Sequence, residues 1–195
     1  MNIVIGLGNP GHTYHGTRHN VGFAVIQLLA ERHHVHITQR VVSMADERPA
    51  AVYGDYRQDR HTVRLLMPLT MMNESGEALK GLTVTPEQLM IVCDDVNLPL
   101  GTLRLRSDGG AGGHHGLQSC LEVLGTERVP RLRVGVGIKT LPSALHDFVL
   151  SRFESAEHPM INQAIEQAAD ACETWVNKGI DDAMNQHNRA HEASA

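Results

Sequence analysis

Short aliphatic runs suited to strands alternate along this chain with stretches of helical period, and that alternation restricts the fold more than any other feature. Asn2 to Leu7 is an apolar run suited to a buried strand, and from Asn20 a helical pattern carries Phe23, Ile26, Leu29 and Ala30. Thr62 to Met67 and Leu89 to Cys93 repeat the strand signal, and between them Thr70 to Leu82 reads as a short helix. Arg131 to Ile138 alternates as a strand whose glycines indicate close packing. Ala156 to Asn177 is a long amphipathic helix with Ile161, Ile165, Ala169, Cys172 and Val176 in its apolar stripe. Strands that alternate with helices imply an α/β fold with a largely parallel sheet covered on both faces. A length of 195 residues suits one well-buried core, so one domain is expected over 1–185, with Gln186 to Ala195 as a frayed tail.

The first apolar run lacks a basic flank and is broken by Gly6, Gly8 and Pro10, which is not the build of a secretion signal. No other stretch approaches the roughly 20 apolar residues of a membrane span. Three cysteines without a short spacing, Cys93, Cys120 and Cys172, fit free thiols in a reducing cytoplasm better than a disulfide framework. The formal charge of −5 argues against a general polyanion binder, but the charge is uneven. From Gly101 to Lys139 six basic residues stand against three acids, whereas from Thr140 onward three face nine. The basic third is placed to meet phosphate; solvated helix faces would give the same asymmetry.

Gly6, Gly8 and Gly11 spell the G-x-G-x-x-G of a dinucleotide-binding turn, but Pro10 interrupts it and the helical pattern waits until Asn20. No helix N-terminus opens inside the motif to meet a pyrophosphate, and Glu31 falls in mid-helix rather than after a second strand. A second cluster, Gly109, Gly110, Gly112 and Gly113, precedes His114, His115 and a helical run from Leu117 to Leu124. Its amides can approach a phosphate or acyl group closely, although a loop tip without a ligand has the same composition.

Asn9 closes the first strand and His19 follows ten residues later in Thr-Arg-His-Asn, while Asp94 follows the Leu89 to Cys93 run. All three belong at the carboxyl edge of the sheet, where open α/β folds place their chemistry. A carboxylate that fixes an imidazole tautomer makes that imidazole a base. There is no G-x-S-x-G, Ser75 and Ser107 have no base near them in sequence, and Cys93 reads as a buried hydrophobe. A base without a nucleophile points to activated water. His12, His15 and His19 lie in a glycine-flanked loop too loose for a hydrolytic zinc site. The remaining histidine groups, His33, His34, His36, His187 and His191, read as surface residues. Asn73, taken alone, reads as a helix cap, and Met71 and Met72 as core.

Six ordered blocks over about residues 3–153 resemble bacterial-type peptidyl-tRNA hydrolase: Gly-Leu-Gly-Asn-Pro-Gly with Tyr14; Thr-Arg-His-Asn; Thr70 to Gly76; Asp94 to Gly101; the glycine cluster through Ser119; and Arg131 to Gly137. The resemblance implies a monomeric, single-domain α/β/α fold around a twisted, mostly parallel mixed sheet. It also implies hydrolysis of the ester between a peptide and the 3′ end of tRNA, without metal or cofactor, on the CCA end and acceptor stem. It makes His19 the base that activates water and Asp94 the residue that holds it. Asn9 and Asn73 become carboxamides near the ester, Asn9 at the position linked to distinguishing blocked from free amino groups. Tyr14, Met71, His115 and Gly113 match positions at the tRNA terminus, and Arg106 and Arg133 match basic positions facing nucleic acid. The chain departs from the family's pattern at Met67, Met71, Asn97, Ile138, Lys139 and His115, the last standing where many members have Asn. A non-catalytic RNA-binding protein on the same fold is the rival reading, and intact His19, Asp94, Asn9 and Asn73 disfavour it.

Overall fold

In the computed structural model, which describes residues 1–43 and 47–188, Asn2–Gly6 forms strand β1 within a seven-stranded sheet. β1 is flanked by strands on both edges and covered on both faces, which is why it is continuously aliphatic rather than alternating. It pairs in parallel with β4 (His61–Pro68) on one side and β5 (Leu89–Pro99) on the other, and β5 pairs in parallel with β7 (Arg131–Gly137). Antiparallel strands complete both edges. β2 (Gln39–Val42) and β3 (Pro49–Gln58) extend the β4 side and β6 (Leu103–Arg106) lies outside β7, giving the order β2-β3-β4-β1-β5-β7-β6. The chain therefore leaves β1, fills the sheet on one side as far as β4, and crosses β1 to continue as β5. That reversal opens a crevice outside the carboxyl ends of β1 and β5.

Alternate strand residues feed two cores. Val4, Met90, Val92, Leu132 and Val134 face α1 (Val21–Arg32) and α4 (His158–Lys178), which bury Ile26, Leu29, Ala168, Cys172 and Trp175 against them. Ile3, Ile5, Ile91 and Cys93 face the other way, under α2 (His115–Leu124) and a 3₁₀ segment, Met72–Leu79. Each fully buried aliphatic side chain of these layers contributes roughly 1.5–3 kcal/mol. The α/β/α expectation holds.

Glycines set how closely the layers approach. A Cβ on Gly6 would lie 2.2 Å from the carbonyl oxygen of Gly22, and one on Gly8 would lie 2.7 Å from the Phe23 ring. The apparent dinucleotide motif is thus a β1–α1 packing device, which is why its spacing appears without a phosphate-binding helix.

Four differences from the sequence reading have local causes. The expected helix over Thr70 to Leu82 is the shorter 3₁₀ segment, packed so tightly on α2 that a Cβ on Gly76 would lie 2.3 Å from the Ser119 carbonyl oxygen. Strands β2, β3 and β6 carry no clear apolar run: β2 is an exposed edge, and β6 is only Leu-Arg-Leu-Arg. The expected tail from Gln186 begins inside α5 (Ile180–His187), after which the Asn188 carboxamide accepts from the Leu105 N–H at 2.8 Å and donates to its carbonyl at 3.1 Å. Residues 189–195, with His191, lie outside the described residues. His33 and His187 are not simply solvated, since His33 stacks on Tyr56 with 3.9 Å between centroids and His187 bonds to Thr174 at 3.0 Å.

Candidate active site

The turn after β1 is locked to the segment that carries His19. Asn20 Oδ1 accepts from the Asn9 backbone N–H at 2.9 Å and Asn20 Nδ2 donates to the Asn9 carbonyl at 2.9 Å. His19 sits between them in a 3₁₀ turn, Arg18–Asn20, and reaches across to β5, where its Nδ1 lies 2.7 Å from Asp94 Oδ1. Asp94 belongs to the run of parallel pairing that ends at Asp95↔Gly135, so its position is fixed by sheet register rather than by a loop. The His19 and Asp94 side chains are 13% and 3% exposed. Nδ1 donates to the carboxylate, and Nε2 has no protein partner among the described residues.

A second imidazole shares the same oxygen. His114 Nε2 lies 3.0 Å from Asp94 Oδ1, while its Nδ1 accepts the Leu117 N–H at 3.1 Å as the N-cap of α2. Because Nδ1 is an acceptor there, Nε2 carries the ring's proton and donates to Asp94. The two rings are 5.0 Å apart. Burial pushes the Asp94 carboxyl up, but the imidazoles of His114 and His19 outweigh it and hold the group well below the usual carboxylate range.

These groups open onto a cavity of about 590 Å³ at the crevice. Of the residues singled out from the sequence, Asn9, Tyr14, Met71, Asn73, Gly113, His115 and Arg133 line it. Arg106 does not; it is exposed on β6, with Arg104 also exposed two residues before it. Asn73 is exposed and is not a cap, since the 3₁₀ segment is capped at Met71. The Asn9 carboxamide is fixed at its side-chain oxygen. That oxygen takes the Met72 N–H at 2.7 Å, so Asn9 turns Nδ2, a donor, toward the cavity. The Asn73 carboxamide has no protein partner among the described residues.

Three contributions were not named from sequence. His114 is one, an imidazole at the junction of a glycine loop and a helix, which is a cap position. α3 (Leu145–Leu150) forms an apolar wall with Leu145, Val149 and Leu150, and Val96 adds to it. Arg131 is buried beneath the glycine loop, donating to the carbonyls of Gly109, Glu127 and Val129. It supports the loop instead of meeting solvent. Arg133 is tied to Asp95 at 2.8 Å with 27% of its side chain exposed.

No serine or threonine lines the cavity among the described residues, and burial, together with the adjacent Asp94, pushes the Cys93 thiol far up, out of nucleophilic use. His19, Asp94 and His114 bring three ligand atoms within 4.8 Å, but both imidazole nitrogens concerned are already bonded to the one carboxylate oxygen. A metal there would have to break both bonds. The described helices include none long and apolar enough to cross a membrane.

An imidazole held by a carboxylate beside an apolar groove, with no serine or threonine lining it among the described residues, lies at the crevice of a mixed sheet with a parallel centre and suits a hydrolytic enzyme of the α/β class. Residues 3–195 match the family model described as peptidyl-tRNA hydrolase. Peptidyl-tRNA hydrolases of Syntrophomonas wolfei and Bacillus cereus are 42% and 41% identical over 192 residues, covering 96% of this chain and all of theirs. The crystal structure of peptidyl-tRNA hydrolase from Acinetobacter baumannii superposes with a TM-score of 0.86 at 32% identity, covering 97% of this chain and 95% of that one. The chain belongs to the peptidyl-tRNA hydrolase family.

Proposed function

We propose that this protein hydrolyses the ester between a peptide, or an N-blocked aminoacyl group, and the 3′ end of tRNA through water activated by His19. The observation that carries the mechanism is the 2.7 Å bond from His19 Nδ1 to Asp94 Oδ1, with Nε2 free on a residue that lines the cavity. Nε2 takes a proton from water as the water oxygen attacks the ester carbonyl carbon, and Asp94 stabilises the charged ring. Asn9 Nδ2 donates to the carbonyl oxygen as it gains charge, and collapse of the tetrahedral intermediate expels the ribose oxygen, which recovers the proton from Nε2. Asn73 offers its amide oxygen to the peptide N–H.

The cavity has two flanks suited to the two halves of the substrate. Val96, Leu145, Val149 and Leu150 suit an acyl chain without charge selection. Tyr14, Met71, Gly113, His115 and Arg133 suit the CCA end. The acceptor stem extends to an arginine block formed where Arg104 pairs with Arg133 and Arg106 with Arg131 on one face of β6 and β7. Arg104 and Arg106 have no protein partner among the described residues, which leaves their charge for phosphate.

We infer further that the enzyme works as a single-domain monomer in the cytoplasm. The free, buried Cys93, Cys120 and Cys172 support a reducing compartment, and the Asn188 bonds to Leu105 support a monomer because they occupy the β6 edge. His19→Ala tests the mechanism with N-acetylated aminoacyl-tRNA as substrate and free tRNA as the product scored. Turnover should fall on the order of 10² to 10⁴ while tRNA affinity stays nearly unchanged, and near-normal turnover would remove His19 as the base.

A further inference from the structure

We propose that Arg18 is a positioning residue that fixes the acyl-binding wall against the catalytic base; the inference rests on the functional reading above. Arg18 precedes His19 in the same 3₁₀ turn, yet its side chain runs away from the cavity and is 4% exposed. Its guanidinium meets three other segments. Nη2 donates to Glu157 Oε2 at 2.6 Å at the start of α4, Nη1 donates to the Val136 carbonyl at 3.3 Å at the end of β7, and Nε donates to Ser151 Oγ at 3.4 Å after α3. The plane also lies against two rings, with Cζ 4.5 Å from the centroid of Phe148 and 4.8 Å from that of Phe153. The backbone repeats the tie, for Arg18 N–H donates to the Ser151 carbonyl at 3.0 Å and Thr17 bridges to Arg152.

α3 has six residues, too few for a helix to hold itself together by its own hydrogen bonds. Leu145, Val149 and Leu150 face the cavity, whereas Phe148 is buried on the opposite side against Arg18. The position of the apolar wall is therefore set from behind by a guanidinium whose own backbone is continuous with His19. Arginine suits this place because one planar cation donates at its edge in several directions while both of its faces take aromatic rings; a lysine ammonium is a compact point charge with no plane to lie between two rings. The consequence is a fixed spacing between the base and the groove that receives the acyl chain. Loss of the tie should weaken binding of substrates that fill the groove, not of the tRNA.

Arg18→Lys and Glu157→Gln test this, each assayed on tRNA bearing an N-acetylated apolar tripeptide and on tRNA bearing a single N-acetylated glycine. For Arg18→Lys, KM for the tripeptide substrate should rise on the order of tenfold, the discrimination that a small apolar group confers, while KM for the glycine substrate moves about twofold or less. Competitive inhibition by uncharged tRNA should be unchanged. Glu157→Gln keeps the guanidinium between its rings and should show the same selective rise, smaller, at roughly threefold; it carries the test if the lysine variant does not fold. Equal KM increases on both substrates, altered inhibition by uncharged tRNA, or lower thermal stability with both KM values intact would each overturn the proposal. Failure of the wild-type protein to release tRNA from either substrate would instead overturn the functional reading on which it rests.

Discussion

Replacing His114 by alanine removes two bonds made by one ring, and each has a known scale. The Leu117 N–H loses its cap acceptor, which costs about 0.5–2 kcal/mol. Asp94, at 3% exposure, loses one of its two imidazole donors, and a hydrogen bond to a charged group is worth about 1.5–3 kcal/mol. The sum, about 2–5 kcal/mol, should lower the melting temperature of a chain this long by roughly 10 °C. His114→Asn separates the two losses. An asparagine oxygen caps a helix well, but its amide ends nearer the backbone than imidazole Nε2 and does not reach Asp94. The asparagine variant should therefore regain about 1 kcal/mol of the stability while turnover on N-acetylated aminoacyl-tRNA stays depressed by roughly 10- to 100-fold, the scale of a slightly misplaced base. Thermal unfolding and single-turnover rates measured on the same preparations check this. Wild-type turnover in His114→Asn would refute the claim that the ring orients Asp94, and an unchanged melting temperature in His114→Ala would refute the cap.

The same geometry predicts responses elsewhere. Asp94 and Glu157 are both depressed carboxyls: burial opposes ionisation of each, and their imidazole or Arg18 partners outweigh it. Their contribution to stability is accordingly complete above the ordinary carboxylate value of about 4 and is lost as pH falls below it, so the urea midpoint should drop in that range and drop less steeply in Asp94→Asn; parallel pH profiles would contradict it. Arg104→Ala with Arg106→Ala should weaken binding of uncharged tRNA of any sequence and flatten the log-affinity against log-salt slope by roughly 0.7–0.9 for each phosphate no longer neutralised, and an unaltered slope would show that the block is only solvated. Gly116→Ala places a Cβ 2.3 Å from Met72 Sδ and should cost about 1–3 kcal/mol in urea unfolding, with an added loss of turnover because Met72 N–H orients Asn9. Turnover unaffected by that substitution would uncouple the 3₁₀ segment from the site.

The elements that were legible in the sequence are those whose side chains answer to one environment. β1 and the first half of β5 are buried on both faces, and the α4 stripe faces one core, so their patterns are unmixed. β2 and β6 answer to solvent on much of their surface, and β6 alternates leucine with arginine over only four residues, too short a run to register as a period. The site followed the same division. Asn9 and Asp94 are visible because each follows an aliphatic run, and His19 because it stands in the Thr-Arg-His-Asn block. His114 was hidden because its two bonds are with Leu117, three residues on, and with Asp94, a strand away, and no spacing rule joins them. The turn of the Asn9 carboxamide depends on a bond to Met72, 63 positions distant, which only the packed structure supplies.

A chain of net charge −5 that handles a polyanion needs its cations placed where they are not cancelled, and the sheet does this by register. β6 and β7 run antiparallel with Arg104 opposite Arg133 and Arg106 opposite Arg131, which gathers four like charges on one face at a cost in repulsion. Two of the four are relieved internally: Arg131 by the carbonyls of Gly109, Glu127 and Val129, and Arg133 by Asp95. That relief anchors the loop beside the carboxylate that bonds His19, since Asp95 adjoins Asp94 and a Cβ on Gly112 would lie 3.0 Å from Arg133 Nη2. Arg104 and Arg106 are left uncompensated at the outer edge. The exposed arginines of β6 and Asp94 of β5 are consequently both registered on β7, so phosphate bound at that edge would lie at a distance from His19 set by strand register rather than by a hinge.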